Sequence, residues 1–289
     1  MLYFLTRGRH QYTIRVFRQH MQADYLEVVP HEIWDETSFG PGDIAIFCDI
    51  DRCNEEEVAA LKTTYDQVAA TGCRVLNDPG KVMRRYELLK GLYADGANSF
   101  RVFRPEELPG ATDISFPVFM RDELEHDGPG SALIHSYSDL QKVLAGDIPP
   151  NPLLCEFIDT TREGHHHKYG AFVLEGKVIP RHFFLSESWN VKSASGDREY
   201  SQQLEIDYVR QNPHEEEMRQ IAAYANIDFG RIDYAITNAG IQVFEINTNP
   251  TIIDRGDIKE GNPREWITQQ FIETIGHEFK NLKPNTDND

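Results

Sequence analysis

Residues 232–237 alternate between apolar and polar positions, and residues 241–247 do so again. A period of two marks half-buried strands. Asn238-Ala239-Gly240 lies between them, so residues 230–250 (GRIDYAITNAGIQVFEINTNP) predict a β-hairpin with a three-residue loop ending in glycine. With Thr237 paired to Ile241, Asp233 falls opposite Glu245. Arg231, Asp233, Glu245 and Asn247 then share one face.

The rest of the chain mixes both periods. Residues 2–5, 25–29, 43–48 and 73–76 read as strands, and residues 11–21 as a helix. A helix follows Asn54, with Glu55, Glu56 and Glu57 in its first turn and Val58, Leu61, Tyr65 and Val68 as its apolar stripe. Strand and helix alternate up to residue 78, which predicts a small parallel α/β domain. Asn77-Asp78-Pro79-Gly80 marks the boundary. A basic helix over 81–94 and strands over 99–103, 117–121 and 153–159 come next. A short helix over 139–145 separates the last two strands. Residues 169–174 and 178–184 form a second hairpin, and helices cover 213–227 and 266–279.

Composition narrows the chemistry. The chain has 289 residues, 40% hydrophobic and 26% charged, with a net charge of −18. Such an acidic balance argues against nucleic-acid or anionic-membrane binding, which depends on clustered Lys and Arg. No apolar run approaches the ~20 residues needed to span a bilayer. The opening MLYFLTRGRH is too short in apolar residues for a signal peptide. Cys48, Cys53, Cys73 and Cys155 have no metal-site or disulfide spacing, so a reducing cytoplasm is the expected location. His165, His166 and His167 are adjacent, and neighbours on a strand point to opposite sides, so they are not expected to share one metal.

Two carboxylates facing each other on a sheet repel unless a positive group sits between them. Asp233, Glu245 and the Asn247 carbonyl form an all-oxygen set suited to Mg²⁺ or Mn²⁺. The run GRIDY followed by FEINTNP resembles the C-terminal metal-binding hairpin of the ATP-grasp superfamily, which includes D-alanine–D-alanine ligase and glutathione synthetase-like carboxylate–amine ligases. The resemblance implies a fold in which a nucleotide lies between two α+β subdomains, preceded here by the small α/β domain. The domains expected are residues 1–78 and 79–289, the latter divided into a lid subdomain (79–155) and a metal-binding subdomain (156–289).

The resemblance also implies roles. Arg85 and Arg121, each standing where the family has Lys, would bind ATP phosphates. The segment DELEHDGPGS would fold over them. Glu156, Phe157, Ile158 and Asp159 would form the adenine hinge, and Glu163 would hold the ribose. Asp233, Glu245 and Asn247 would bind the metal, with Arg231 as the catalytic cation. Phe244, on the opposite strand face from Glu245, is expected in the core. Residues 186–197 fit a loop over the active site. The implied reaction is ATP- and Mg²⁺-dependent ligation of a small carboxylate to an amine or thiol through an acyl phosphate. A phosphotransferase on the same fold and a non-catalytic nucleotide-binding module are the alternatives. A homodimer is the default oligomeric expectation.

Overall fold

Phe4 from the first strand meets Phe229 from the last hairpin and Phe279 from the last helix edge to face at 5.4 Å, and Phe229 and Phe279 lie tilted at 6.0 Å. In the computed structural model, which describes residues 1–111, 113–126, 128–193 and 198–284, this cluster ties the two ends of the chain together. Each fully buried phenylalanine contributes roughly 1.5–3 kcal/mol.

The N-terminal sheet is parallel, as the strand–helix alternation predicts. It contains β1 (Leu2–Thr6), β2 (Leu26–Pro30), β3 (Ile44–Phe47) and β4 (Arg74–Leu76) in the order β2-β1-β3-β4. Helices α1 (Tyr12–His20) and α2 (Glu55–Ala70) connect them. Asn54 caps α2 reciprocally: its side chain accepts from the Glu57 N–H, and Glu57 accepts from the Asn54 N–H, both at 2.9 Å.

A three-stranded antiparallel sheet follows, ordered β5-β7-β6, from β5 (Val102–Phe103), β6 (Val118–Asp122) and β7 (Pro152–Glu156). Helices α3 (Arg85–Ala94) and α4 (Tyr137–Leu144) belong to this region. Helix α3 starts four residues later than the pattern predicts. The N–H groups of Lys81 and Val82 both bond the Asp78 carbonyl, and the Met83 N–H bonds the Ala225 carbonyl, so residues 81–83 make turn and tertiary bonds instead. Strand β7 likewise ends at Glu156, short of the expected residue 159.

The third sheet carries β8 (Thr161–Arg162), β9 (His165–Leu174), β10 (Lys177–Ser186), β11 (Phe229–Thr237) and β12 (Gly240–Asn247), ordered β10-β9-β11-β12 with β8 beside β9. Helices α6 (Glu215–Tyr224) and α7 (Glu265–Asn281) match the sequence reading, whereas α5 (Arg198–Gln211) is an element the reading lacks. Among the described residues no helix is long and apolar enough to cross a membrane.

The hairpin differs from expectation in one detail. Thr237 pairs with Gly240 and Ile236 with Ile241, so the turn has two residues rather than three. A β-bulge between Asp233 and Tyr234 absorbs the shift, and Asp233 still faces Glu245. The extra residue is on β12, where Phe244 and Glu245 no longer alternate cleanly.

Two apolar clusters run across the expected boundary at residue 78. One joins Leu5 and Phe47 to Ile232 and Tyr234, and the other joins Phe4 and Ile46 to Phe229 and Phe271. Asn77, with a positive φ of 60°, reinforces this junction. Its buried amide donates to the carbonyls of Phe47 (3.0 Å) and Phe229 (2.8 Å) and accepts from the N–H groups of Asp228 (2.8 Å) and Phe229 (2.9 Å). Replacing Asn77 by Ala leaves these buried groups unpaired, and the expected loss is at least about 3 kcal/mol in chemical denaturation.

Gly170 on β9 is fixed by a neighbour. A Cβ there would lie 2.3 Å from His182 Cε1, and the fully buried His182 ring is stacked on Phe184 at 4.4 Å. Gly170→Ala is expected to cost about 1–3 kcal/mol by overpacking. The double variant Gly170→Ala/His182→Ala should recover part of that cost in the same thermal unfolding assay, because the ring that blocks the methyl is gone. Additive losses in the two single variants would contradict this account.

Candidate functional site

A cavity of about 430 Å³ lies between the three-stranded sheet and the face of β9, β11 and β12. Its lining is of two kinds. Leu89, Phe100, Phe119, Cys155, Phe157 and Ile158 are apolar. Arg121, His126, Lys168, Arg231, Asp233, Glu245 and Asn247 are polar or charged. A concave site with an apolar wall and a few converging charges is the usual form of a small-molecule site.

The hairpin supplies the carboxylates. Asp233 is 1% exposed and directly opposite Glu245, while Arg231 is opposite Asn247. Arg231 grips Asp233 with two prongs, Nε to Oδ1 at 2.6 Å and Nη2 to Oδ2 at 3.1 Å, and Lys168 Nζ approaches Oδ2 at 3.1 Å. Glu245 receives its cations from across the cavity. Arg85 Nη2 donates to Oε2 at 2.5 Å, Arg121 Nη2 donates to the same oxygen at 3.2 Å, and His126 Nδ1 lies 3.4 Å from Oε1. Burial pushes both carboxyls up, but the cations outweigh it. Arg231 and Lys168 hold Asp233 below the usual range, and His126 and Arg85 hold Glu245 well below it. Both therefore remain ionised.

The loop after β6 is positioned by arginines. Arg85 Nη1 donates to the Glu123 carbonyl and, at 3.1 Å, to that of Glu125, while Arg121 also donates to the Glu125 carbonyl at 3.1 Å. Two acids of this loop are paired outside the cavity lining, Glu123 with Arg104 at 2.9 Å and Glu125 with Arg52 at 3.0 Å. That leaves His126 in the cavity. Its Nε2 lies 2.5 Å from Asp51 Oδ2, and Asp51 in turn accepts from the Thr248 N–H at 2.8 Å and from the Thr248 hydroxyl. Burial lowers the His126 pKa, but Glu245 and Asp51 raise it more, and the net shift is upward.

The connection after β10 closes one side. Trp189 lies against Phe119 (5.2 Å) and Phe157 (5.9 Å). Trp189, Asn190, Val191 and Lys192 all line the cavity. Gly128, with φ +97°, lies under Lys192, and a Cβ there would be 2.8 Å from Lys192 Cε. The loop expected over the active site is therefore at the cavity, although its end, residues 194–197, lies outside the described residues.

Several expected residues are placed otherwise. Arg85 is only 3% exposed in its side chain and stands behind Arg121, bonded to the loop and to Glu245, without lining the cavity. The Glu156 carboxylate is occupied: it accepts from Arg101 Nη2 (2.7 Å), the Arg101 N–H (2.8 Å) and the Ser115 N–H (2.7 Å). It has no vacant oxygen with which to read an adenine amino group. Asp159 accepts from the Thr161 N–H and lies off the cavity wall. Glu163 sits at the tip of the β8–β9 turn with φ +52°, accepts from the Tyr200 hydroxyl and does not line the cavity, so a ribose role is not served from there. Phe244, expected in the core, lines the cavity on the same side as Glu245 because of the bulge, while also touching Phe100 at 6.2 Å. Lys168, His126 and Asp51 are site residues that sequence reasoning missed. Each comes from a segment far from the hairpin. Lys168, next to three histidines on a strand of unknown facing, left no signal of its role.

The oxygen set can be tested for a metal. Among the described residues no group of three or more His, Cys, Asp and Glu side chains could cage an ion. Two ionised carboxylates and an amide oxygen on one face fit Mg²⁺, which keeps waters and shares its coordination with substrate phosphates.

No protein-family model and no curated protein matches the sequence. Solved structures do match in shape. A RimK-domain ATP-grasp protein from Sphaerobacter thermophilus DSM 20745 is 14% identical, with a TM-score of 0.54 over 95% of this chain and 99% of that one. D-alanine–D-alanine ligase from Helicobacter pylori is 12% identical, with a TM-score of 0.53 over 99% of both chains. L-amino acid ligase from Bacillus licheniformis is 13% identical, with a TM-score of 0.51 over 98% of this chain and 77% of that one. At such identities the likeness is one of architecture, and it agrees with the hairpin seen in the sequence: the chain has the ATP-grasp fold.

Proposed function

We propose that the chain is an ATP- and Mg²⁺-dependent ligase that joins a small-molecule carboxylate to an amine or thiol through an acyl phosphate. One observation carries this reading. Asp233 and Glu245 face each other, ionised, in a cavity with both apolar and charged lining, and four cations pair with them: Arg85, Arg121, Lys168 and Arg231. An excess of positive charge in a chain of net charge −18 suits a polyanion. The ligase names of the structural neighbours support the same reaction class.

The apolar lining would take adenine, with the Phe157 carbonyl and the Ile158 backbone along its edge, since the Glu156 carboxylate is committed to Arg101. Asp233, Glu245 and Asn247 would hold the magnesium, which when bound neutralises polyphosphate charge. Arg121 would bind the polyphosphate. Arg231 would face the phosphoryl group in transfer and then the tetrahedral oxyanion at the acyl carbon. In the first step a substrate carboxylate oxygen bonds to the terminal phosphorus and ADP leaves. In the second the acceptor attacks the acyl carbon, phosphate leaves and the acceptor proton passes to solvent. Trp189 and the loop that bears it would exclude water from the acyl phosphate.

Phosphate release from ATP and Mg²⁺, measured against a panel of amino acids and small carboxylates, tests this. Release is expected only when an acid and an acceptor are both present, and Glu245→Ala should lower it by at least about a hundredfold. A stable phosphorylated product without ligation would instead establish a phosphotransferase. ATP binding with no turnover on any acid would establish a regulatory module.

A further inference from the structure

Lys168 raises a question that its partner does not answer. Its Nζ lies 3.1 Å from Asp233 Oδ2. Arg231 already covers both Asp233 oxygens from two residues along the same strand, so Lys168 adds a second cation to one of them. An ammonium has three donors, whereas among the described residues Asp233 is the one hydrogen-bond partner of Lys168. The side chain is 21% exposed and lines the cavity. A strongly hydrated point charge that has lost much of its water and keeps unused donors is costly unless an anion completes it.

The location narrows the anion. Lys168 lines the same cavity as Asp233 and Arg231, and Phe119, Phe157 and Ile158 supply an apolar wall to it. A nucleotide with its base on that wall would bring its outermost phosphate to Lys168. We infer that Lys168 is a further catalytic residue that grips the terminal phosphoryl group from the metal-bearing sheet, opposite Arg121 from the lid sheet. This rests on the nucleotide reading of the cavity. A grip from both sheets follows the phosphoryl group as it moves from nucleotide to substrate carboxylate, so its oxygens never lack a counter-charge.

Calorimetric titration of the full chain with ATP and with ADP, both with Mg²⁺, tests the assignment in wild type, Lys168→Met and Lys168→Arg. Lys168→Met is expected to weaken ATP binding by at least about tenfold and to leave ADP binding within about twofold, with Lys168→Arg restoring most of the loss. An unchanged melting temperature without ligand would show that the variants are folded. Equal losses for ATP and ADP would overturn the inference in favour of a purely structural role beside Asp233. Unchanged ATP affinity with a raised KM for the acid would overturn it in favour of a substrate-carboxylate contact. Either result leaves the nucleotide reading standing, whereas wild type that fails to bind ATP would remove both.

Discussion

Two carboxylates held face to face on adjacent strands repel, and burial makes the repulsion stronger. Asp233 and Glu245 are in that position because the hairpin register puts them there. Much of the surrounding structure serves to offset this. Asp233 is neutralised from its own sheet by Arg231 and Lys168. Glu245 is neutralised by Arg85 and Arg121, and His126 links it onward to Asp51 in the turn after β3. The repulsion is thus offset by groups from segments far apart in the chain. The cations outnumber the carboxylates they pair with, which leaves the site electropositive.

The arginines at residues 85 and 121 show why the kind of cation matters. A guanidinium offers donors in two directions at once. Arg85 uses one nitrogen on the backbone carbonyls of Glu123 and Glu125 and the other on Glu245, whereas Arg121 reaches both the Glu125 carbonyl and Glu245 through Nη2 and the Asp122 carbonyl through Nε. Lysine, as a point charge, would hold the carboxylate but not shape the loop that delivers His126. At residues 85 and 121 loop geometry and charge are therefore set by the same side chains.

Much of the carboxylate-bearing face was legible in the sequence because a hairpin is local. Period-two alternation and one turn signal bring Asp233 and Glu245 together without any long-range contact, and even a wrong loop length left them paired, since the bulge compensated. The parallel N-terminal sheet was legible for the same reason. What could not be read depends on distant segments. That Arg101 and Ser115 consume Glu156 requires knowing how β7 pairs with its neighbours. The sides on which Lys168 and Phe244 fall depend on strand facing and on a bulge. Helix α5 has a largely polar sequence, REYSQQLEIDYVRQ, with little apolar stripe to announce it. The domain boundary looked clean because Asn77-Asp78-Pro79-Gly80 has turn chemistry, which says nothing about the side chains packed across it.

Asn77 and the two clusters that cross residue 78 bear on how such a chain can vary. The back of the β11–β12 hairpin is also the floor on which the N-terminal sheet rests, through Phe229 against Phe4 and Ile232 within the same cluster as Leu5. The N-terminal sheet is therefore not an interchangeable cassette. Exchanging it for another would expose apolar surface directly behind Asp233, so any grafted replacement must inherit the shape of that floor. Chemistry on one side of β11 and modularity on the other are constrained by the same few residues.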